Sequence, residues 1–158
     1  MGEDNRRAFS ILWLPLAGGT ASGSDRFEGS PMGYVWVAIG GALGSVARYG
    51  CSGLVARFAG VTFPWGTLLV NVSGSFVIGV LAALVAVDGR PLVAGDARAF
   101  LMVGVLGGFT TFSSFSFDTL NLARSGAWGA AGANVVGSVV LCLLAVSVGY
   151  IGTAALQR

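Results

Sequence analysis

The chain has 158 residues, of which 54% are hydrophobic and only 10% are charged, and its mean hydropathy is +0.80. Soluble globular domains carry about 25% charged residues, so this composition excludes that class and predicts an integral membrane protein. With no histidine and two cysteines, the sequence offers neither a transition-metal site nor a disulfide framework. The net charge of +2 is too small to indicate a nucleic-acid partner.

Residues 1–32 differ in composition from the rest of the chain. They hold four of the seven acidic residues and a Gly- and Ser-rich stretch from Gly18 to Ser30, which predicts a disordered tail. Arg6-Arg7 and the apolar residues after them resemble a short signal sequence, but Pro15 interrupts a run that is too short to span a membrane. The alternative is that translation begins at Met32 and the tail is a start-site artefact. Residues 33–158 form the predicted membrane domain.

Four apolar segments follow one another along this domain, joined by short loops. Each is long enough for the roughly 20 residues of a membrane-spanning helix. The second and fourth contain no charged residue, and the third contains none from Ala99 to Phe117. The predicted fold class is therefore an all-α integral membrane protein with four transmembrane helices per subunit. The predicted spans are Tyr34 to about Phe58, Gly66 to Val87, Ala99 to about Leu122, and about Trp128 to Leu156.

The loops give little indication of orientation. Arginine is spread over loops on both predicted sides of the membrane, so the positive-inside signal is weak and either orientation agrees with the sequence. Four short helices also enclose too little volume for an aqueous pore. We therefore expect an oligomer with a path at or beside the subunit interface.

Polar residues recur at helical spacing inside two of the spans. Asn71 and Ser75 lie four residues apart in the second span, with Thr67 one turn earlier, and Asn134 and Ser138 repeat the spacing in the fourth span. Side chains of these types can join neighbouring membrane helices by hydrogen bonds, at about 1 kcal/mol or less each. The functional alternative is that the rows line a polar path across the membrane.

The third span contains two aromatic residues three positions apart, Phe112 and Phe115. Such a pair usually indicates packing, but the electropositive edge of each ring can also face a small, hard anion. Asn71, Ser113, Ser114 and Ser138 would then donate hydrogen bonds that replace water around that anion. Arg48, a charge inside the first span, either extends to the interface or attracts anions toward a vestibule.

The glycine pair Gly107-Gly108 predicts a break in the third helix. Backbone carbonyls released by such a break need partners in the middle of a bilayer, and a small cation such as Na⁺ is coordinated well by hard oxygen atoms. The carbonyls of Gly107 and Thr110 are the candidate ligands.

Three ordered signatures resemble those of the CrcB/Fluc-type fluoride channels, and the likeness covers about residues 33–156. The signatures are Gly40-Gly41-x-x-Gly44-x-x-x-Arg48-Tyr49, Gly66-Thr67-Leu68-x-Val70-Asn71-x-x-Gly74-x-Phe76, and Gly107-Gly108-Phe109-Thr110-Thr111-Phe112-Ser113-Ser114-Phe115-Ser116. The departures are mild: Ser114 stands where threonine is common, Asp118 where glutamate is usual, and Asn134 where many members have tyrosine.

The resemblance implies an antiparallel, dual-topology dimer with two narrow fluoride pathways and a structural Na⁺ at its centre. By motif position, Gly107 and Thr110 would bind Na⁺, and Phe112 and Phe115 would line the fluoride path. The amide and hydroxyl track would comprise Asn71, Ser113, Ser114 and Ser138, with Arg48 near the vestibule. Whether the dimer is formed by two identical chains or with a diverged paralogue stays open.

The implied function is passive export of cytoplasmic fluoride through the cell membrane, driven by the membrane potential. A small four-helix multidrug-type antiporter is the alternative, but it requires a titratable carboxylate in the membrane interior, and neither of the first two spans contains one. A third interpretation is a scaffolding membrane protein, in which the polar and aromatic rows would be replaceable by Leu and Ala. An enzyme is the least favoured class, since the sequence has no phosphate-binding loop and no cluster of catalytic acids or bases.

Overall fold

The computed structural model describes residues 31–86 and 95–157, and this part of the chain is entirely helical apart from short turns. Helices α1 and α2 are followed by a third helical segment, Gly95–Arg124, which consists of α3, a π-helical stretch, α4 and α5. Helix α6 completes the fold. The bounds are α1 Pro31–Ala59, α2 Trp65–Ala86, α3 Gly95–Arg98, the π-helix Ala99–Leu106, α4 Gly107–Phe109, α5 Phe112–Arg124 and α6 Trp128–Leu156.

These bounds agree with the four predicted segments to within a few residues. The first helix starts slightly earlier than predicted, so Pro31 and Met32 of the predicted tail are helical. Residues 1–30 of that tail lie outside the described residues, as does the predicted loop around Gly89, Arg90 and Pro91.

Two of the helices are followed by a glycine with a positive φ angle. Gly60 follows α1 with φ of 77°, and Gly126 lies between α5 and α6 with φ of 80°, a backbone conformation that other residues rarely adopt. Between α1 and α2, the rings of Phe63 and Trp65 lie 4.7 Å apart on either side of Pro64, which immediately precedes the second helix. Short, specific turns therefore reverse the chain at both places.

Three described helical segments are long and apolar enough to cross a membrane: Trp65–Val85, Gly95–Arg124 and Trp128–Leu156. Large apolar side chains such as Leu143 and Ile151 are exposed along α6, as expected of a helix that faces lipid. The protein is therefore a multi-pass membrane protein. Helix α1 is also 29 residues long but does not reach the same hydropathy, because it contains Arg48, Arg57 and six glycines.

Glycine allows the helices to approach one another closely. A Cβ atom at Gly40 would lie 2.6 Å from the carbonyl oxygen of Phe100, and one at Gly44 would overlap the carbonyl oxygen of Val105. Helix α1 therefore packs backbone against backbone on the π-helical stretch, as the Gly40 and Gly44 spacing predicts. Helices α2 and α6 meet in the same way, at Gly79 and Gly149.

The third helical segment is broken, but the predicted position of the break was wrong. Gly107 retains helical angles (φ −64°, ψ −36°), whereas Thr110 and Thr111 are extended, with ψ of 156° and 114°. The glycine at 108 serves packing instead, because a Cβ atom there would lie 2.5 Å from the carbonyl oxygen of Gly41. The break accordingly lies where threonine hydroxyls and Asn71 replace the helical hydrogen bonds.

Candidate ion pathway

The amide side chain of Asn71 holds the broken backbone at Thr111. Its Oδ1 accepts a hydrogen bond from the Thr111 N–H at 2.7 Å, and its Nδ2 donates to the Thr111 carbonyl oxygen at 3.0 Å. An extended residue inside the bilayer would otherwise leave both backbone groups without partners, at a cost of several kcal/mol each. Asn71 thus stabilises the break from a neighbouring helix.

The hydroxyl of Thr111 organises the start of α5. Its Oγ1 accepts the Ser114 N–H at 3.2 Å, as an N-cap residue does, and donates to Ser114 Oγ at 3.1 Å. Ser113 Oγ lies 3.1 Å from the same oxygen. The two serines predicted to belong to the ion path are therefore tied together through a residue that sequence reasoning did not single out.

Two backbone carbonyls are released from the helical ladder by these contacts. In a continuous helix the Gly107 carbonyl would accept from the Thr111 N–H, but that N–H donates to Asn71. The Thr110 carbonyl would accept from the Ser114 N–H, which donates to Thr111 Oγ1 instead. Within the described residues, no group of three His, Cys, Asp or Glu side chains lies close enough to hold a metal ion. Carbonyl oxygens are thus the available hard ligands at the break.

A cavity of about 390 Å³ lies beside the break, between α2, the third helical segment and α6. The described residues that line it include no charged side chain, so the polar groups that it offers are hydroxyls, one amide, the Cys142 thiol and backbone atoms. It brings together six of the predicted site residues, namely Asn71, Gly107, Thr110, Phe112, Phe115 and Ser138.

The aromatic pair forms one wall of this cavity. The ring centroids of Phe112 and Phe115 lie 5.2 Å apart with an interplanar angle of 46°, so the two rings are tilted against each other. Phe115 is half-buried, but Phe112 is 77% exposed. A side chain so exposed adds little to the packing of a single protomer.

A chain of hydrogen bonds connects Ser138, in the cavity lining, to the backbone of Phe115. Ser138 Oγ donates to Asn134 Oδ1 at 3.4 Å, and Asn134 Nδ2 donates to Thr119 Oγ1 at 2.8 Å. Thr119 in turn donates to the carbonyl oxygen of Phe115 at 2.7 Å. Asn134 is only 1% exposed, so this network fixes α6 against α5. Thr119 was missed in the sequence, although it lies one helical turn after Phe115.

Arg48 and Ser114 line a separate cavity of about 490 Å³ at the other side of the break. Asp118 also lines it, and its Oδ2 accepts a hydrogen bond from Thr67 Oγ1 at 2.7 Å. Arg48 is half-buried and makes no ion pair with any described residue. Thr111 lines both cavities, so the extended segment separates a charged compartment from an uncharged one.

Of the nine predicted site residues, Ser113 alone lines neither cavity. It is exposed, and its side chain forms a hydrogen bond with Thr111. Its neighbour Ser114 faces the compartment with Arg48 instead of the aromatic wall. The predicted track is therefore divided between two spaces that meet at Thr111.

Comparison with known proteins places this arrangement in a family. The family described as "CrcB-like protein, Camphor Resistance (CrcB)" matches residues 35–150. The chain is 63% identical over 124 residues to the fluoride-specific ion channel FluC of Opitutus terrae, which covers 78% of this chain and 94% of that protein. It is 56% identical over 127 residues to the FluC of Rhodospirillum rubrum, covering 80% and 98%. It is 50% identical over 117 residues to the FluC of Thermus thermophilus, covering 74% and 91%. The chain belongs to the CrcB family.

Proposed function

We propose that this protein is a fluoride-selective channel that lets fluoride leave the cytoplasm passively through the cell membrane. The observation that carries the proposal is the uncharged cavity beside the helix break, which is lined by the Phe112 and Phe115 rings together with hydroxyl and amide residues. The curated relatives at up to 63% identity are named fluoride-specific ion channels, which supports the same function.

The chemistry of this cavity suits a small, hard anion that must not be held tightly. Ring edges and hydroxyl protons are weak positive poles, so they can replace part of the hydration shell without the strong binding of a full positive charge. Arg48 lies in the neighbouring compartment, where it would attract anions to the entrance by long-range electrostatics. Fluoride would then pass from the compartment with Arg48, beyond Thr111, to the aromatic wall.

A passive channel is sufficient for export. A membrane potential that is negative inside drives an anion outward, with about 2.3 kcal/mol per charge for every 100 mV. Neutral HF that enters from acidic surroundings would dissociate in the cytoplasm, and the fluoride so trapped would leave down this gradient. The protein would thereby reduce fluoride toxicity without any chemical energy source.

The carbonyls of Gly107 and Thr110 support a structural Na⁺ site. Both oxygens have lost their helical hydrogen-bond donors, which go to Asn71 and Thr111. When bound, the ion would neutralise these oxygens in a medium that has no water to do so. Two carbonyls from one protomer leave a Na⁺ ion short of ligands, so a second subunit would have to supply the remainder.

The same reasoning supports an antiparallel dimer with four transmembrane helices per subunit. Phe112 is 77% exposed in one protomer, so a partner is needed to enclose the path beside it. Helix α1, although less apolar than the others, would form the fourth span with Arg48 at the vestibule. Two identical chains inserted in opposite orientations form such a dimer; a paralogue inserted in the opposite orientation is the alternative partner.

Efflux from liposomes tests the proposal. The purified full-length chain is reconstituted into vesicles loaded with fluoride or with chloride, and release is measured with ion-selective electrodes. We expect rapid release of fluoride without release of chloride, and loss of fluoride release in Phe112→Ile. Phe58→Ile, a change at an exposed ring outside both cavities, should release fluoride at the wild-type rate. No fluoride release from a folded wild-type protein would reject the self-sufficient channel.

A further inference from the structure

Ser75 is the residue of the uncharged cavity whose hydroxyl has no hydrogen-bond partner among the described residues. Four hydroxyl residues line this cavity: Ser75, Thr110, Thr111 and Ser138. Three of them donate their protons to protein acceptors, as the contacts with Leu106, Ser114 and Asn134 show. Ser75 makes no hydrogen bond to any described residue, although it is half-buried.

Three other serines in the helices of this protein satisfy their hydroxyl protons locally. Ser73, Ser116 and Ser147 each donate to the carbonyl oxygen four residues earlier, at 2.7 to 2.9 Å. That local bond is the usual way for serine to satisfy its proton away from water. Ser75 does not form it, so its proton remains available inside the cavity.

We infer that Ser75 is a hydrogen-bond donor to the permeating anion, an inference that rests on the proposed channel function. Asn71 has one of its two amide protons engaged by Thr111, and Ser138 directs its proton toward Asn134. Ser75 is therefore the hydroxyl that can bind an anion without first giving up a contact within the protein.

The position of Ser75 defines where this contact occurs. Four residues along α2 correspond to a rise of about 6 Å, so Ser75 lies one turn beyond the level at which Asn71 holds the break. The remaining lining on this side is apolar, with Ile78 and Met102. On α2, the helix that carries Asn71, Ser75 is then the next side chain in the lining that can donate a hydrogen bond to an anion beyond the break. The hydroxyl extends the polar lining toward the apolar end of the cavity.

A series of substitutions at this position provides the test, with fluoride efflux from liposomes as the readout. We expect Ser75→Thr to keep the wild-type rate, Ser75→Ala to lower it by about tenfold, and Ser75→Cys, a weaker donor, to fall between them. Ser73→Ala is the matched control on the same helix, since its hydroxyl bonds only to the carbonyls of Leu69 and Val70, and it should retain the wild-type rate.

The result separates this inference from the proposed function. If the wild type and Ser73→Ala both release fluoride and Ser75→Ala does so at the same rate, Ser75 is not a donor to the anion. If the wild type itself releases none, the channel function fails instead. Ser75→Ala removes no hydrogen bond between described residues, so its thermal unfolding in detergent should match that of the wild type. If this variant does not fold, the efflux rates of Ser75→Thr and Ser75→Cys are compared instead. A faster rate for Ser75→Thr supports the inference, and equal rates overturn it.

Discussion

Asn71 and Thr111 lie 40 residues apart in the chain, yet the amide of one satisfies both backbone groups of the other, at 2.7 and 3.0 Å. This pairing satisfies the backbone groups that helical hydrogen bonds satisfy elsewhere in the protein. It therefore allows two extended residues to lie inside an apolar bundle. It also takes the Thr111 N–H away from Gly107, and so frees the carbonyl that we propose as a ligand for Na⁺. One side chain thus couples the fold of the break to the chemistry around it.

Replacing Asn71 by leucine should therefore destabilise the protein. Asn71→Leu leaves the N–H and the carbonyl of Thr111 unpaired, which should lower the free energy of unfolding by about 2 kcal/mol or more, and fluoride efflux should be lost with it. Thermal unfolding in detergent measures the first effect and liposome efflux the second. Asn121→Ala, at an exposed asparagine of α5, should change neither. An Asn71→Leu protein as stable as the wild type would contradict this role.

The helices could be predicted from the sequence because each depends on a local property. The length of each apolar run predicted the four segments, whereas the glycines that follow two of the helices, Gly60 and Gly126, were not singled out in the sequence. The break could not be placed as well. Within a single helix, the pair Gly107-Gly108 predicts a break because glycine has low helix propensity. In the structure, however, Gly108 is required for the close contact with Gly41 of another helix. The role of Gly108 therefore depends on a contact between segments that are distant in the sequence, which local helix propensity does not reveal.

For the candidate site, the sequence predicted which residues belong to it but not which hydrogen bonds join them. Polar and aromatic spacing identified Asn71, Phe112, Phe115 and Ser138, which line one cavity. The spacing did not indicate that Asn71 holds the backbone of Thr111. Its role in the fluoride path stays a prediction, since one of its amide protons is not engaged by that contact.

The proposed Na⁺ site predicts a cation-dependent stability. When Na⁺ is exchanged for N-methylglucamine at constant ionic strength, the unfolding temperature in detergent should fall, because a ligand that binds only the folded state stabilises it by mass action. Once the site is mostly filled, each tenfold rise in Na⁺ should add about 1.4 kcal/mol. Calorimetry or circular dichroism measures the effect. Unfolding that is identical in both cations over about a hundredfold range of concentration would refute the site.

The Asn134 network predicts an energetic coupling between α5 and α6. Asn134→Leu and Thr119→Val each remove one end of the 2.8 Å hydrogen bond, so the double variant should be less destabilised than the sum of the two, by about 1 kcal/mol. Unfolding of the single and double variants in detergent gives this difference. Pairing Asn134→Leu with Ser147→Ala, whose hydroxyl bonds only within α6, should give additive effects. Additivity in both pairs would show that the bond contributes nothing.

The crossing of α2 and α6 predicts that two glycines cannot be enlarged. A Cβ atom at Gly79 would overlap the carbonyl oxygen of Val146, and one at Gly149 would overlap that of Phe76. Because both obstacles are backbone atoms, the helices must separate to accommodate a methyl group. Gly79→Ala and Gly149→Ala should therefore lower the free energy of unfolding by about 1 to 3 kcal/mol, despite the better helix propensity of alanine.

Thermal unfolding of the two variants in detergent measures this cost, and Gly152→Ala provides the control on the same helix. Among the described residues, no atom of another helix lies within 4 Å of the Cβ position at Gly152, so alanine there should leave stability unchanged or raise it slightly through helix propensity. If all three variants unfold alike, the close approach of α2 and α6 does not limit stability. If only Gly79→Ala and Gly149→Ala are destabilised, the separation of the two helices should also widen the cavity that they border, and chloride efflux through these variants would then rise.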